Sequence, residues 1–395
     1  MCIRDRHNII SAMPADKYNV TCICYDDGQV CTSEKERIYK VSRGLLQSIQ
    51  YKIEEKKSST AVLLKRFISL LIKFKQLPFL CCWPFTDPVY TYRAYRLTEK
   101  LHKENKFDAV IAVHLPLSSV IIGHKLKQKY PDIKFYPYFL DSLSGGRPIS
   151  IMSEAWNIKK KLQWEAKLLE NADKIIVMES SRKHHEKYNA DKIYYNRFVY
   201  LDIPLLTKVK ALSGEIKNNS GQINVLFCGT VNYPMRNIKY FIELISCIKD
   251  ENIIFTFIGD SNYKPLTEGN FKNIKYVPLI SHDKLSEYYN HADILLNLGV
   301  TIPSAISGKI FEYMSYGKPV VSTYSIDNEA CLPYLKKYPL TYLIDEREED
   351  IGRAAENLTE FIRNHCHERV DTAFINDIFI QNKPENFIYS LFGET

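Results

Sequence analysis

The sequence has little of what a membrane-spanning, disulfide-bonded or repeat protein needs. Its longest charge-free apolar stretch near the N-terminus covers residues 77–85, far short of the ~20 residues that a transmembrane helix requires. The ten cysteines include no CxxC pair, which favours reduced thiols in a cytosolic protein over a disulfide framework or a zinc site. Only 15 glycines and 17 prolines are present, and no internal repeat is visible, which excludes collagen-like and solenoid chains.

The rest of the composition is that of an ordinary globular protein with two domains. The chain has 395 residues, of which 45% are hydrophobic and 25% are charged. A single compact core rarely grows to this length, whereas two domains of usual size account for it. Because each domain can bury a normal core, the composition argues against disorder.

Positive charge is concentrated in one segment. The net charge is +7, and between Lys35 and Lys75 there are 11 Lys or Arg residues against three acids. Within that segment, residues 61–75 (AVLLKRFISLLIKFK) place apolar residues at helical spacing with basic residues between them. Such a helix suits an anionic membrane surface, and it equally suits a core-packing helix with a solvated basic face. No nucleic-acid-binding motif accompanies the charge, so we expect no nucleic-acid partner.

Short β-rich runs alternate with helical patterns along the whole chain. The predicted strands are residues 18–25, 107–116, 133–141, 173–181, 223–230, 252–260, 273–280, 292–299 and 318–323, the last closing the set. The predicted helices are residues 118–130, 156–172, 237–249, 283–292 and 307–317. This alternation predicts an α/β fold of two doubly wound, Rossmann-like domains with an interdomain cleft at the carboxyl ends of the strands.

The most specific pattern lies in residues 303–323. Ser307-Gly308 precede a predicted helix whose first turn holds Lys309 and Glu312. Backbone N–H groups at a helix N-terminus, together with a Lys, can bind phosphate, and a carboxylate one turn further on can accept hydrogen bonds from a ribose diol. Taken alone, an ordinary surface Lys–Glu pair explains the same residues better.

Two further predicted strands end in glycine. Gly229-Thr230 follow one strand, with Arg236 just before the next helix, and Gly259 follows the next strand. Glycine lets a ligand approach the backbone, and Arg can bind a diphosphate through two parallel hydrogen bonds. Each of these segments is weak evidence for a nucleotide-binding site by itself, and the evidence is stronger when the segments are taken together.

Together these segments resemble glycosyltransferase family 4, retaining enzymes of the GT-B fold, over nearly the whole chain. The match is strongest in GKIFEYMSYGKPVV, residues 308–321. The resemblance implies that Glu312 binds the donor ribose, and that Arg236 and Lys309 bind the diphosphate. It also implies that the loop at 229–230 lies against the phosphates, and that the base is recognised largely by backbone around residues 277–279.

The resemblance also assigns roles to the domains. It implies an N-terminal acceptor-binding domain, a linker, a C-terminal nucleotide-sugar-binding domain and a last helix that crosses back to the first domain; the boundaries we predict are 1–203, 204–222, 223–375 and 376–395. The family's first strand, its loop and most of its first helix have no counterpart in this sequence. We therefore expect a chain truncated at its N-terminus.

Three single positions extend or depart from the family pattern. His114, in DAVIAVHLPLSS, falls where the family has a His near the reacting sugar; a His packed at a strand end is the alternative. Asp141 follows another strand and could contact the acceptor, or simply cap its loop. The family often has a Glu that contacts the transferred sugar, and the corresponding residue here is Ser304.

The expected reaction is transfer of a sugar from a UDP- or GDP-sugar to a hydroxyl acceptor, glycan or lipid-linked, with retention and without a catalytic carboxylate nucleophile. The residues assigned to catalysis are His114, Asp141, Arg236 and Lys309. The residues assigned to donor binding are Gly229, Thr230, Arg236, Gly259, Ser307, Gly308, Lys309 and Glu312.

No metal or cofactor is expected, because no DxD-type carboxylate pair is placed to hold Mg²⁺. Residues 61–75 would dock the enzyme on the cytoplasmic face of the membrane, where it would serve polysaccharide or lipopolysaccharide assembly. The alternatives are a nucleotide-sugar 2-epimerase of the same fold, or a catalytically silent GT-B binding subunit.

Overall fold

The computed structural model describes residues 4–26, 36–44, 86–114, 116–145, 153–206, 221–280, 282–302 and 306–393. The basic segment 61–75, position 304 and most of the predicted linker lie outside these ranges. The chain divides into two compact units. The C-terminal unit spans Pro204–Asn386, and the N-terminal unit holds the residues up to Ile203 together with those from Phe387 onward.

The N-terminal unit is built on parallel strands. A pair is formed by β1 (Val20–Tyr25) and β2 (Glu36–Val41). A four-stranded sheet follows, in the order β3 (Ala109–Val113), β4 (Lys134–Phe139), β5 (Ile175–Met178) and β6 (Phe198–Leu201). Its helices are α1 (Arg4–Ala12), α2 (Pro88–Asn105), α3 (Leu117–Lys129), α4 (Glu154–Leu169) and α5 (Arg182–Asn189). The sequence patterns predicted β1, β3, β4 and β5 but not β2, β6 or α2.

Helix α2 begins at a capping carboxylate. Asp87 accepts hydrogen bonds from the backbone N–H groups of Val89 and Tyr90, both at 3.1 Å, and Pro88 occupies the first helical position. The second oxygen of Asp87 accepts from the backbone N–H of Gly44 at 2.8 Å. One side chain therefore starts the helix and fixes the chain that leaves β2.

The described part of the C-terminal unit contains one six-stranded parallel sheet. Its strands are β7 (Ile223–Cys228), β8 (Ile253–Ile258), β9 (Ile274–Val277), β10 (Ile294–Asn297), β11 (Val320–Tyr324) and β12 (Thr341–Asp345), in the spatial order β12-β11-β10-β7-β8-β9. The prediction that residues 318–323 close the set is wrong, because β12 pairs with β11 over five residues at the edge. All four residues of β10 are buried, as expected for a strand covered on both faces.

The helices of the C-terminal unit cover both faces of this sheet. They are α6 (Ile238–Ser246), α7 (Lys264–Glu268), α8 (His282–His291), α9 (Lys309–Ser315), α10 (Leu332–Leu335), α11 (Ile351–His365) and α12 (Thr372–Ile378). Phe241 of α6 lies against Phe255 and Phe257 of β8 in the main apolar cluster. Leu358 and Ile362 of α11 join the same cluster, so burial of aromatic and branched side chains stabilises the unit.

The chain ends in two helices instead of the continuous one predicted over 376–395. Helix α12 ends at Ile378, a 3₁₀ turn covers Ile380–Asn382, and α13 spans Pro384–Phe392. Proline at the first position of α13 cannot continue a preceding helix, which explains the break. Within the N-terminal unit, Phe387 packs on Tyr138, with ring centroids 5.0 Å apart. Among the helices that the structure describes, none is long and apolar enough to cross a membrane.

Lys318 closes the C-terminal end of α8. Its buried ammonium donates hydrogen bonds of 2.5–2.8 Å to the backbone carbonyls of Tyr289, Asn290 and Ala292. These are carbonyls that the end of a helix leaves without partners, and a cation is favourable there. The lysine of the GKP pattern, two residues before β11, therefore holds α8 against the sheet.

We expect Lys318→Met to destabilise the C-terminal unit by about 3 kcal/mol, because it leaves buried carbonyl groups without hydrogen bonds. Lys272→Met is the matched control. The Lys272 side chain is 90% exposed, so its loss should cost less than about 0.5 kcal/mol. Urea unfolding of the two variants measures both values, and equal midpoints would contradict the assigned role.

Candidate active site

The sequence-predicted donor residues gather at the carboxyl edge of the six-stranded sheet. Gly229 follows β7, Gly259 follows β8, and Leu298 follows β10. Because all strands are parallel, their carboxyl ends meet at one edge, where ligands bind in open α/β sheets. Helix α9, which follows β10 in the chain, carries Lys309 and Glu312.

Gly259 allows two of these loops to touch. Its φ angle is 137°, and a Cβ at this position would overlap the carbonyl oxygen of Gly229. The backbone N–H of Gly229 donates to Ile258 O at 2.9 Å, and the Tyr276 hydroxyl donates to Gly259 O at 2.7 Å. The packing of the two loops therefore requires glycine at position 259, in addition to the donor contact predicted for it.

The predicted base-recognition segment lies beside this contact. Val277 ends β9, and its carbonyl accepts from the backbone N–H of Gly259 at 3.0 Å. Two residues further on, Leu279 is 69% exposed. Backbone groups and an exposed apolar side chain therefore stand next to the glycine loops.

Tyr313 ties helix α9 to the end of β7. Its hydroxyl accepts from the backbone N–H of Cys228 at 3.1 Å and donates to the Cys228 carbonyl at 3.2 Å. Burial raises the pKa of this hydroxyl, so it stays protonated and can make both bonds. The two sequence segments that carry the family resemblance are therefore joined by one side chain.

Arg236 is anchored from the loop after β7. Its Nη1 donates to the backbone carbonyl of Leu298, and the Met235 carbonyl accepts from the N–H of Thr301 at 3.1 Å. Burial lowers the pKa of Arg236, but a guanidinium remains charged in proteins. The arrangement places a permanent positive charge at the carboxyl edge of β7 and β10.

Lys309 and Glu312 are in contact with each other. The Lys309 ammonium donates to Glu312 Oε2 at 3.0 Å and to the Tyr289 hydroxyl at 2.9 Å. The two charged side chains are only 26% and 16% exposed. A surface Lys–Glu pair was the alternative interpretation of these residues, and here they form a partly buried pair held by a tyrosine.

Ser307 and Gly308 precede α9 in a tight environment. The backbone N–H of Ser307 donates to the sulfur of Cys331 at 3.2 Å, so this amide is already engaged. Gly308 lies against Leu205, whose Cδ1 would be 2.5 Å from an added Cβ. Thr230, on the neighbouring loop, is exposed. The Ser307 N–H is therefore engaged within the protein, and the assignment of Ser307 and Gly308 to donor binding stays a prediction.

Sequence reasoning missed Glu329, Cys331 and Tyr289. Glu329 is 2% exposed, and its Oε1 accepts from the N–H of Val300 at 3.3 Å. Burial raises the pKa of Cys331 to about 12, so its thiol stays neutral. Glu329 and Cys331 belong to a segment with no recognisable motif, and only the fold brings them to the loop that holds Arg236.

In the N-terminal unit, the structure brings His114 and Asp141 together at the ends of β3 and β4. His114 is 9% exposed, and burial lowers its pKa to about 4 although it hydrogen-bonds the backbone of Asp141. Within the described part of the chain, its Nδ1 has no hydrogen-bond partner. Asp141 itself is exposed. A neutral imidazole with an unpartnered nitrogen can donate to or accept from a hydroxyl group.

The comparison with known families concerns the C-terminal unit. Residues 222–360 match the family model described as glycosyl transferases group 1. No curated protein sequence matches the chain.

Solved structures share the fold at low identity. A trehalose-6-phosphate synthase, OtsA, has a TM-score of 0.57 at 10% identity, covering 98% of this chain and 93% of its own. An OtsA apo structure gives 0.56 at 12% identity, with coverage of 96% and 94%. The N-terminal domain of a Candida albicans trehalose-6-phosphate phosphatase gives 0.54 at 11%, with coverage of 100% and 89%. The chain has the two-domain, Rossmann-like GT-B fold, and its C-terminal unit is similar to the group 1 glycosyl transferases.

Proposed function

We propose that the protein is a glycosyltransferase that moves a sugar from a nucleoside-diphosphate sugar to a hydroxyl acceptor. The observation that carries the proposal is the convergence of Arg236, Lys309 and Glu312 at the carboxyl edge of a domain that matches group 1 glycosyl transferases. Two cations suit a diphosphate, and a carboxylate suits a ribose diol. We therefore assign Arg236 and Lys309 to the donor diphosphate and Glu312 to the donor ribose.

In the proposed reaction, the bond between the anomeric carbon and the β-phosphate oxygen breaks. A new bond forms between that carbon and the acceptor oxygen on the same face, and the acceptor proton passes to the leaving phosphate. Negative charge grows on the phosphate as it leaves, and preorganised cations stabilise that charge without reorganising. Arg236 and Lys309 would stabilise this negative charge without a metal. Positioning of the two substrates would supply the rest of the rate acceleration.

In the N-terminal unit, we assign His114 and Asp141 to contact with sugar hydroxyls. The unpartnered Nδ1 of His114 and its buried position support this role, because a buried polar atom without a partner is costly unless a ligand satisfies it. The imidazole would act in its neutral form.

We further propose a lipid-linked or polysaccharide acceptor and an enzyme bound to the inner face of the membrane. The support is the basic, amphipathic pattern of residues 61–75, which lies outside the described residues. This proposal predicts that replacing Lys65, Arg66, Lys73 and Lys75 by Gln abolishes sedimentation with phosphatidylglycerol vesicles. Each basic residue contributes ~1 kcal/mol near an anionic surface. Equal sedimentation of both proteins, or binding to phosphatidylcholine vesicles, would contradict it.

For the donor site, we predict that UDP or GDP raises the melting temperature of the wild-type protein. A ligand at 100 times its Kd stabilises by ~2.7 kcal/mol. Glu312→Ala and Arg236→Ala should abolish the shift, because they remove the ribose and diphosphate contacts. Glu356→Ala, an exposed acid on α11 of the same unit, is the matched control and should retain it. If no nucleoside diphosphate produces a shift, the silent binding subunit replaces the enzyme as the better account.

For His114, we predict that His114→Gln lowers donor hydrolysis by about tenfold, the effect of losing one hydrogen bond of ~1.4 kcal/mol. The factor should be the same at pH 6 and pH 8, because a pKa of about 4 leaves His114 neutral at both. The assay follows release of UDP or GDP from a panel of nucleotide sugars. If the fold-reduction caused by His114→Gln differs between pH 6 and pH 8, His114 acts through its charge, and this assignment is contradicted.

A further inference from the structure

A buried carboxylate lies under the loop that holds Arg236. Glu329 is 2% exposed, and its Oε1 accepts from the backbone N–H of Val300 at 3.3 Å. Its second oxygen, Oε2, is buried and has no hydrogen-bond partner among the residues that the structure describes. A buried charged oxygen without a partner is unfavourable, so this site needs either a proton or a cation nearby.

The loop above Glu329 is held by several separate contacts. Arg236 donates to Leu298 O, Gly299 N donates to Thr323 Oγ1 at 3.0 Å, and Thr301 N donates to Met235 O at 3.1 Å. Glu329 Oε2 lies so close to Gly299 that a Cβ there would be 2.8 Å from it. The carboxyl group therefore touches the same short loop to which the guanidinium of Arg236 is anchored.

The charged and titratable groups that face Glu329, among the described residues, are Arg236, Cys331 and Glu346. Burial, with a smaller contribution from Glu346, raises the pKa of Glu329 to about 7, although the hydrogen bond from Val300 and the charge of Arg236 both lower it. Cys331 stays a neutral thiol, as its raised pKa shows. Arg236 is thus the cation that favours the charged form of Glu329.

We propose that Glu329 is a positioning residue for the donor diphosphate, and that it takes up a proton when a nucleoside diphosphate binds beside Arg236. The inference rests on the proposed function, because it requires the diphosphate to lie at Arg236. An anionic ligand brings like charge toward Glu329 and neutralises the guanidinium that opposes burial, so both effects favour the protonated carboxyl. The protonated group still accepts from Val300 and keeps the loop in place.

The direction of the pH dependence follows from this coupling. If binding favours the protonated form, affinity must rise as pH falls through about 7. A ligand-induced rise of one unit in the pKa of Glu329 would strengthen binding about fivefold between pH 8 and pH 6. At pH 7 the same rise corresponds to uptake of ~0.4 proton for each nucleotide bound.

The test is calorimetric titration with UDP, and in parallel GDP, at pH 7 in two buffers of different ionisation enthalpy. The difference in observed heat gives the number of protons taken up. The nucleotide's own phosphate contributes equally to every variant, so the comparison between variants isolates Glu329. We expect ~0.4 proton more for the wild type than for Glu329→Gln, which keeps the Val300 contact and cannot ionise.

Glu356→Gln is the matched control, because Glu356 is an exposed acid on α11 of the same unit and is not one of the groups that face Glu329. It should retain the wild-type proton uptake and the wild-type dependence of Kd on pH. Equal uptake in the wild type and Glu329→Gln overturns the proposal, as does a wild-type affinity that rises with pH relative to that variant. A merely structural role would weaken binding by the same factor at every pH, which also overturns it.

A second measurement needs only the wild-type protein. The infrared difference spectrum on addition of UDP should gain a band from a protonated carboxyl group and lose one from a carboxylate. If UDP binds without this change, the proposal for Glu329 fails while the donor site stands. If neither UDP nor GDP binds, the proposed function itself fails, so the two failures are distinguishable.

Discussion

The paired hydrogen bonds between the Tyr313 hydroxyl and the backbone of Cys228 are the contact on which the candidate site depends. They fix the start of the glycine loop after β7 against the helix that carries Lys309 and Glu312. A tyrosine is needed because phenylalanine would leave a buried N–H and carbonyl of Cys228 without this partner. Residues 85 positions apart in the chain thereby reach one edge of the sheet.

The electrostatics of the site follow from that geometry. Three charged side chains are held by hydrogen bonds to partly or fully buried groups. Arg236 donates to the Leu298 carbonyl, Lys309 donates to Tyr289 and Glu312, and Glu329 accepts from the Val300 N–H. Charges held in this way are positioned before any ligand arrives, which is the condition for strong stabilisation of a developing phosphate charge. The same burial makes their interactions with one another strong, so a bound diphosphate would shift the protonation of its neighbours.

Much of the C-terminal unit could be predicted from the sequence because strands buried on both faces leave continuous apolar runs, as in β7, β8 and β10. The sequence patterns did not predict elements in which charged or polar residues are mixed with the apolar ones. Strand β2 (ERIYKV) is rich in charge, and helix α2 buries Tyr90, Thr98 and Glu99 along with its apolar residues. Arg236 and Lys309 followed from a motif, whereas Glu329 was missed because its neighbours come from separate segments that only the tertiary fold assembles.

Hydrogen exchange of backbone amides, with and without UDP or GDP, tests the central claim that the diphosphate binds at this edge of the sheet. Slowed exchange reports the local stability that a bound ligand adds. At labelling times too short for global unfolding, the account predicts added protection in residues 228–236, 298–302 and 306–312, and unchanged exchange in α11, which lies in the core cluster of the same unit. Protection elsewhere without change in these three segments would contradict it.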